Sequence, residues 1–106
     1  MRKLERQMIQ AIIERRNWKG SNTEVIVDDK CASVYLHDHR IGEYTFSDMS
    51  LMIADAGWQT FTTKSRLNAL TKFVTGCSCV FQKNFEWFLS TSKGTVPFED
   101  GWNAVV

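Results

Sequence analysis

The sequence predicts a single α+β domain, in which an N-terminal helix and a second helix pack on one face of an antiparallel β-sheet. The chain has 106 residues, the usual size of one domain, so residues 1–106 are expected to share one hydrophobic core. Its 43% hydrophobic and 24% charged residues are typical of a globular protein. Along the chain, the spacing of the apolar residues is first typical of a helix and then alternates as in a strand. It then becomes helical again and ends with a second alternating stretch. This order favours helices layered on an antiparallel sheet.

The first helix is amphipathic and is expected to run to about residue 16. Leu4, Met8 and Ile12 recur at helical spacing, and charged residues that include Glu5 are expected to form the solvent-facing surface. Lys19-Gly20-Ser21-Asn22 is expected to end the helix and turn the chain.

A meander of four strands is predicted to follow the first helix. Apolar residues alternate with their neighbours over residues 23–27 and 32–36, with a turn at residues 28–30. Residues 41–46 and 51–54 are predicted to be the third and fourth strands. Short strands joined by tight turns pair in the antiparallel direction.

The second helix is predicted to begin near Thr62 or Thr63, either of which can act as its N-cap. Leu67, Leu70 and Val74 form its expected buried stripe. Gly76 is expected to end the helix, because glycine adopts the left-handed cap conformation without a steric cost.

The remaining residues are predicted to be extended. Residues 80–81 and 85–89 are expected to form a hairpin around Lys83-Asn84, with Phe85, Trp87 and Leu89 on one face. A last segment over residues 95–98 is expected to lie at a sheet edge because it contains Pro97, and residues 102–106 extend it.

Charge is distributed unevenly along the chain although the net charge is only +1. Residues 1–20 carry +4, residues 21–60 carry −5 and residues 61–106 carry +2. This distribution excludes a DNA mimic built on bulk acidity and a histone-like cation. No apolar stretch approaches the roughly 18 residues of a membrane span, so we expect a protein of the cytoplasm that contacts no membrane.

Several segments of the chain resemble a group of small accessory proteins of tailed bacteriophages. They are Arg2-Lys3-Leu4-Glu5, Tyr35-Leu36-His37, Ala54-Asp55-Ala56-Gly57-Trp58-Gln59-Thr60 and Thr62-Thr63-Lys64-Ser65-Arg66-Leu67-Asn68-Ala69-Leu70. The resemblance extends over residues 1–88. It implies an accessory phage protein made inside a bacterium, in the cytoplasm of the infected host, and it supplies no catalytic residue.

A candidate phosphate-binding site lies at the predicted start of the second helix. Thr62, Thr63, Lys64, Ser65 and Arg66 would bring hydroxyl groups and two cations to the backbone N–H groups of the first turn. Cations there oppose the helix dipole, so an anion would offset them. The alternative is that Lys64 and Arg66 reach into water or pair with an acid of the sheet. Replacing both with alanine is expected to leave the fold intact.

Two further surfaces are candidates for binding. Arg2 and Arg6 at one end of the first helix, with Arg15 and Arg16 at the other, could contact a nucleic-acid backbone or an acidic protein surface. The other candidate is the aromatic strand that contains Trp87 and Phe88, one of which is expected to be exposed as an interaction surface.

The leading functional hypothesis is a non-enzymatic phage accessory protein, because no nucleophile–base pair or two-carboxylate signature is recognisable. Such a protein would bind and inhibit or redirect a host machine, either a defence nuclease complex such as CRISPR-Cas or the transcription or replication apparatus. Its partner would be a host protein or ribonucleoprotein complex, and it would need no cofactor. The alternative is a nucleic-acid-binding module that contacts phosphates through the start of the second helix.

The cysteines and histidines raise the question of a metal site. Cys31, Cys77 and Cys79 are an odd number of thiols and are expected to be reduced. His37 and His39 could join Cys77 and Cys79 around zinc, but structural zinc ligands usually have two to four residues between them. We therefore expect no bound metal.

Elemental analysis of the purified protein should find no stoichiometric zinc, and a chelator should leave its Tm unchanged. One zinc per chain that disappears in Cys77→Ser would contradict this expectation. That result would identify His37, His39, Cys77 and Cys79 as ligands.

Overall fold

Two helices and nine strands make up the computed structural model, which describes all residues, 1–106. In chain order they are α1 (Lys3–Ile13), β1 (Trp18–Gly20), β2 (Thr23–Val27), β3 (Cys31–Leu36), β4 (His39–Thr45), β5 (Ser50–Ile53), α2 (Phe61–Thr75), β6 (Val80–Lys83), β7 (Glu86–Thr91), β8 (Gly94–Pro97) and β9 (Asn103–Val105). Neither helix has the length and apolar composition that a membrane-spanning helix needs.

The strands form two antiparallel sheets. The larger has six strands in the order β1-β2-β3-β4-β5-β9, and the smaller has three in the order β6-β7-β8. The predicted α+β class is therefore confirmed. The second sheet is an addition to the prediction. The last strand joins the larger sheet, where it pairs with β5 through Leu51 and Val105.

The first helix is shorter than predicted, because it ends at Ile13 rather than near residue 16. Arg15 adopts a left-handed φ of 53°, which stops the helical geometry. The chain then becomes extended, and Trp18 pairs with Val25 as part of β1. The turn predicted at residues 19–22 contracts to Ser21 and Asn22, between β1 and β2.

The core lies between the two helices and one face of the larger sheet. Alternating side chains of β2 and β3, such as Val25 and Val34, point inward and are fully buried. Leu67 and Leu70 of α2 are fully buried in the same cluster, as predicted, whereas Val74 lies at its border. Gly42 of β4 permits the close approach of α2, since a Cβ at this position would lie 2.8 Å from Cδ1 of Leu70.

Aspartates stabilise two turns of the larger sheet. The carboxylate of Asp28 accepts the backbone N–H groups of Lys30 and Cys31, both at 2.7 Å, and these bonds lower its pKa. Asp48 accepts hydrogen bonds from Ser50, which lower its pKa as well. A lowered carboxyl pKa means that these turn contacts weaken as the pH falls through the acidic range.

The smaller sheet buries one face and leaves the other partly exposed. Trp87 is buried, and its ring packs edge-on against Phe98 with ring centroids 5.6 Å apart. Phe88 points to the opposite face, where it stacks on Phe81 at 5.7 Å. Trp87 is thus a core residue rather than an exposed interaction residue. Phe85 does not share its face as predicted, because it lies in the turn between β6 and β7.

Replacing Leu70 with alanine should lower the free energy of unfolding by about 2–5 kcal/mol, because the deletion leaves a cavity between α2 and the sheet. Urea denaturation measures this change. A loss below about 1 kcal/mol would contradict the burial of Leu70.

Substitution of Gly42 tests the same contact between α2 and the larger sheet. Gly42→Ala alone should destabilise the protein, since the new methyl group meets Leu70. In the double variant with Leu70→Ala, the new methyl group has space. The double variant should therefore lose less unfolding free energy than the sum of the losses in the two single variants.

Candidate functional site

The start of α2, where the sequence predicts phosphate binding, has a different cap from the expected one. Thr60 is the N-cap, and its Oγ1 accepts the backbone N–H of Thr63 at 3.1 Å. The Thr63 hydroxyl is buried and lies 3.0 Å from the same oxygen. The helix therefore begins at Phe61, one residue before the first predicted cap, and Thr63 is engaged within the protein.

Arg66 is buried rather than presented to solvent, with only 4% of its surface exposed. Its Nη1 donates to Oε2 of Glu5 at 2.8 Å, and its Nε donates to Oγ1 of Thr23 at 3.0 Å. Its Nη2 contacts Oδ1 of Asn22 at 3.4 Å. Arg66 is therefore a structural residue that joins α2 to α1 and to β2, and it does not extend toward a ligand at the helix start.

The other residues of the predicted phosphate site point in three directions. Ser65 donates its hydroxyl to Oε2 of Glu5 at 2.6 Å, so it belongs to the buried network of Arg66. Lys64 is half-buried beside Met1 and Phe61. Thr62 is half-buried and lines a cavity on the other side of the helix start. The five residues do not converge on one point.

A cavity lies beside Thr62, between the start of α2 and the turn that joins β3 to β4. Its volume is about 440 Å³. Its lining consists of Leu36, His37, His39, Ile41, Asp55, Ala56, Trp58, Thr60, Thr62 and Thr63. The lining surface is mostly apolar, and it also contains threonine hydroxyl groups and two imidazole groups.

Asp55 is the single carboxylate in the cavity lining, and it is buried and fully hydrogen-bonded. Its Oδ1 accepts the backbone N–H of Gly57 at 2.8 Å, and its Oδ2 accepts Nε2 of Gln59 at 3.1 Å. These bonds hold the loop that leads into α2. The carboxylate therefore shapes the cavity wall.

Three large apolar side chains are exposed around the start of α2, and together we call them the aromatic collar: Met1, Trp58 and Phe61. Trp58 is 60% exposed and Phe61 is 68% exposed. The guanidinium of Arg2 lies over the Phe61 ring, 5.3 Å from its centroid. The sequence analysis did not identify this surface. The sequence signal that could have indicated its exposure is the position of Trp58 between Gly57 and the polar pair Gln59-Thr60.

The arginines of α1 lie at its two ends, as predicted. Arg2 and Arg6 are exposed at the start, and Arg6 donates to the carbonyl of Met1 at 3.4 Å. Arg15 stacks over the Phe46 ring at 4.4 Å, and Arg16 pairs with Glu14. The two groups lie near opposite ends of α1, whose 11 residues span about 16 Å at 1.5 Å of rise per residue. Among these arginines, Arg2 is the one whose guanidinium lies over an aromatic ring of the collar.

The candidate metal ligands occupy separate surroundings. His37 and His39 are exposed and line the cavity, whereas Cys79 is buried beside Thr75. The structure brings no three His, Cys, Asp or Glu side chains into an arrangement that could hold a metal ion. The absence of zinc stays a prediction for elemental analysis.

Arg66→Ala should destabilise the protein by about 3–5 kcal/mol, because it leaves the carboxylate of Glu5 buried without its cation. This replaces the expectation that Lys64 and Arg66 can both be removed without effect on the fold. Lys64→Ala is the matched control from the same helix, and it should change the stability by less than about 0.5 kcal/mol. Equal losses in the two variants would contradict a structural role for Arg66.

Comparison with known proteins identifies the family. Residues 1–104 match the family model described as Kyanoviridae Gp96 protein. No curated protein and no solved structure matches the chain. The match supports the phage origin that the sequence resemblance implies, since it covers nearly the whole chain. The chain belongs to the Kyanoviridae Gp96 family of phage proteins.

Proposed function

We propose that this phage protein acts without catalysis, by binding a host protein through the aromatic collar at the start of α2. The observation that carries the proposal is the exposure of Trp58 and Phe61, at 60% and 68%, within four residues of each other. Large exposed aromatic side chains are unfavourable in water and are concentrated at the centres of protein interfaces.

The surroundings of the aromatic collar suit a protein partner. The cavity beside Trp58 offers a recess for a partner's side chain, and hot-spot residues bind in such desolvated pockets. Arg2 and Lys64 supply a polar rim on the other side of Phe61. An apolar centre with a charged rim is the usual anatomy of a specific interface.

The chemistry of the same region supports binding rather than catalysis. Asp55 already accepts two hydrogen bonds, and Thr60 and Thr63 are bonded to each other. We infer a partner in the cytoplasm of the infected bacterium, such as a defence nuclease complex or the transcription or replication apparatus. The protein would inhibit or redirect that machine by covering part of its surface.

A second candidate function is direct binding of nucleic acid at the same surface. The observation in its favour is the guanidinium of Arg2 over the exposed Phe61 ring, with Lys64 close by. Aromatic rings beside cations bind single strands by stacking on bases and contacting phosphates. The burial of Arg66 weakens this candidate, because it removes one of the two cations that the sequence assigned to phosphate.

The two candidates can be separated by capture of host proteins on the immobilised chain from nuclease-treated lysate. We expect a host protein or complex to be retained by the native protein and lost by Phe61→Ala and Trp58→Ala, because each substitution removes an interface anchor. Met49→Ala is the matched control, since Met49 is equally exposed in a turn away from α2. Retention by all three variants would contradict the proposed surface.

Nucleic-acid binding by the purified chain tests the second candidate. If it is right, the affinity should fall steeply with salt, and Arg2→Ala combined with Lys64→Ala should flatten that dependence, because fewer counterions are released. If the protein-binding proposal is right, the purified chain should bind duplex and single-stranded probes weakly at physiological salt. The acidic segment at residues 21–60 favours weak binding.

A further inference from the structure

A groove follows one side of α2, and we call it the lysine groove after the side chains at its two ends. Phe61, Lys64, Asn68, Ala69 and Lys72 line it, and its volume is about 270 Å³. Residues three and four positions apart are neighbours on a helix surface, so this set forms one continuous row. The two lysines are eight residues apart, which corresponds to about 12 Å along the helix axis.

The lysine groove carries positive charge that the rest of the chain leaves unpaired. Its charged lining residues are Lys64, Lys72 and Glu5. The carboxylate of Glu5 accepts Nη1 of Arg66 at 2.8 Å and the hydroxyl of Ser65 at 2.6 Å, so its charge is compensated inside the protein. Neither lysine has a carboxylate oxygen within 4.0 Å. The lining therefore has two cations without an anion.

Arg2 adds a third cation at the end of the groove where α2 begins. Its guanidinium lies over the Phe61 ring, 5.3 Å from the centroid, and it too has no carboxylate within 4.0 Å. A guanidinium that stacks on a ring keeps its N–H groups in the plane of the fork, where they can bind a carboxylate. Arg2 is thus oriented for an anion that approaches along the groove.

The same groove has an apolar side, which favours a protein over a nucleic acid. Met1, Phe61 and Ala69 are its hydrophobic lining residues, and Met1 and Phe61 are 52% and 68% exposed. Apolar side chains of a protein can cover this surface while neighbouring carboxylates contact the lysines. A nucleobase would stack on the Phe61 ring, but Arg2 already covers one face of that ring.

We propose that the lysine groove binds an acidic segment of the host protein, in which aspartate or glutamate residues accompany apolar ones. The carboxylates contact Lys64, Lys72 and Arg2, and the apolar side chains pack on Met1 and Phe61. This inference rests on the proposed function, because Met1 and Phe61 belong to the aromatic collar, and it adds the chemistry of the partner. Complementary charge would direct the approach of the segment and select against basic partners.

Selection of short random peptides on the immobilised chain tests the inference without knowledge of the host protein. The peptides retained by the native chain should be enriched in aspartate and glutamate together with aromatic or aliphatic residues. Fluorescence anisotropy then measures the affinity of the selected peptides in solution. The affinity should fall as salt is added, because salt screens contacts between exposed charges.

Reversal of the groove charge should reverse the preference. Lys64→Glu combined with Lys72→Glu should weaken the binding of the acidic peptides about tenfold or more, and a new selection should enrich lysine and arginine. Glutamate is favourable near the start of a helix and unfavourable near its end, so the net effect on the Tm should be small. If the Tm nevertheless falls, Lys64→Gln combined with Lys72→Gln replaces this variant and should also weaken the binding.

Lys83→Glu combined with Lys93→Glu is the matched control. It changes the net charge by the same amount at two exposed lysines outside the groove, on β6 and in the turn between β7 and β8. This variant should bind the acidic peptides with nearly native affinity. Equal weakening by the two double variants would overturn the inference, since it would assign the preference to net charge rather than to the groove.

Two further results would overturn the inference. The peptides selected by the native chain would show no excess of acidic residues, or a single-stranded oligonucleotide would bind more tightly than they do at physiological salt. Phe61→Ala separates this failure from that of the proposed function. Non-acidic peptides that are lost in Phe61→Ala would contradict the inference and leave the aromatic collar in place. Acidic peptides that need both groove lysines but bind Phe61→Ala and Trp58→Ala normally would support the groove and contradict the collar.

Discussion

The ion pair between Glu5 and Arg66 connects three elements of the fold, α1, α2 and β2. Arg66 extends from α2 to Glu5 on α1 and to Thr23 on β2, and Glu5 also accepts the hydroxyl of Ser65. Two charges removed from water are tolerated only when their hydrogen-bonding capacity is satisfied. A shift of α1 along α2 would break these hydrogen bonds, so the network restricts how the helices can slide.

The position of the aromatic collar follows from this arrangement. Oε1 of Glu5 lies 3.4 Å from the backbone nitrogen of Arg2, so the buried pair also holds the first turn of α1. Arg2 is thereby placed over Phe61 at the first turn of α2. The exposed surface at this end thus depends on a buried polar contact, and a substitution that breaks the contact would change the surface as well as the stability.

Local patterns in the sequence were sufficient to predict the helices and strands, but they did not predict the buried network of Glu5 and Arg66. The alternation of β2 and β3, the stripe of Leu67 and Leu70, and the stop at Gly76 are properties of neighbouring residues, and the structure agrees with them. Glu5 and Arg66 are 61 positions apart, and each alone has the character of a surface residue on an amphipathic helix. Their burial becomes visible only when the fold brings them together.

The turn of the hairpin after α2 is a second feature that the sequence did not predict correctly. Displacing the turn by one residue, from Lys83-Asn84 to Asn84-Phe85, changes which aromatic side chains are inside and which are outside. Trp87 and Leu89 keep the predicted common face, and Phe85 leaves it for the turn. Alternation therefore identified the buried face of β7, but it could not determine where the strand begins.

Because β9 pairs with β5, the segment of the chain between these two strands forms a closed loop. Ile53 and Asn103 are register partners, so α2 and the whole smaller sheet lie between two neighbouring positions of the larger sheet. Asn103 is buried and bonds the carbonyl of Glu99 and the backbone N–H of the same residue, which closes the loop at its end. Closure over such a separation costs chain entropy before any contact repays it. We therefore expect β9 to pair later in folding than the first five strands do, with the edge of β5 open until then.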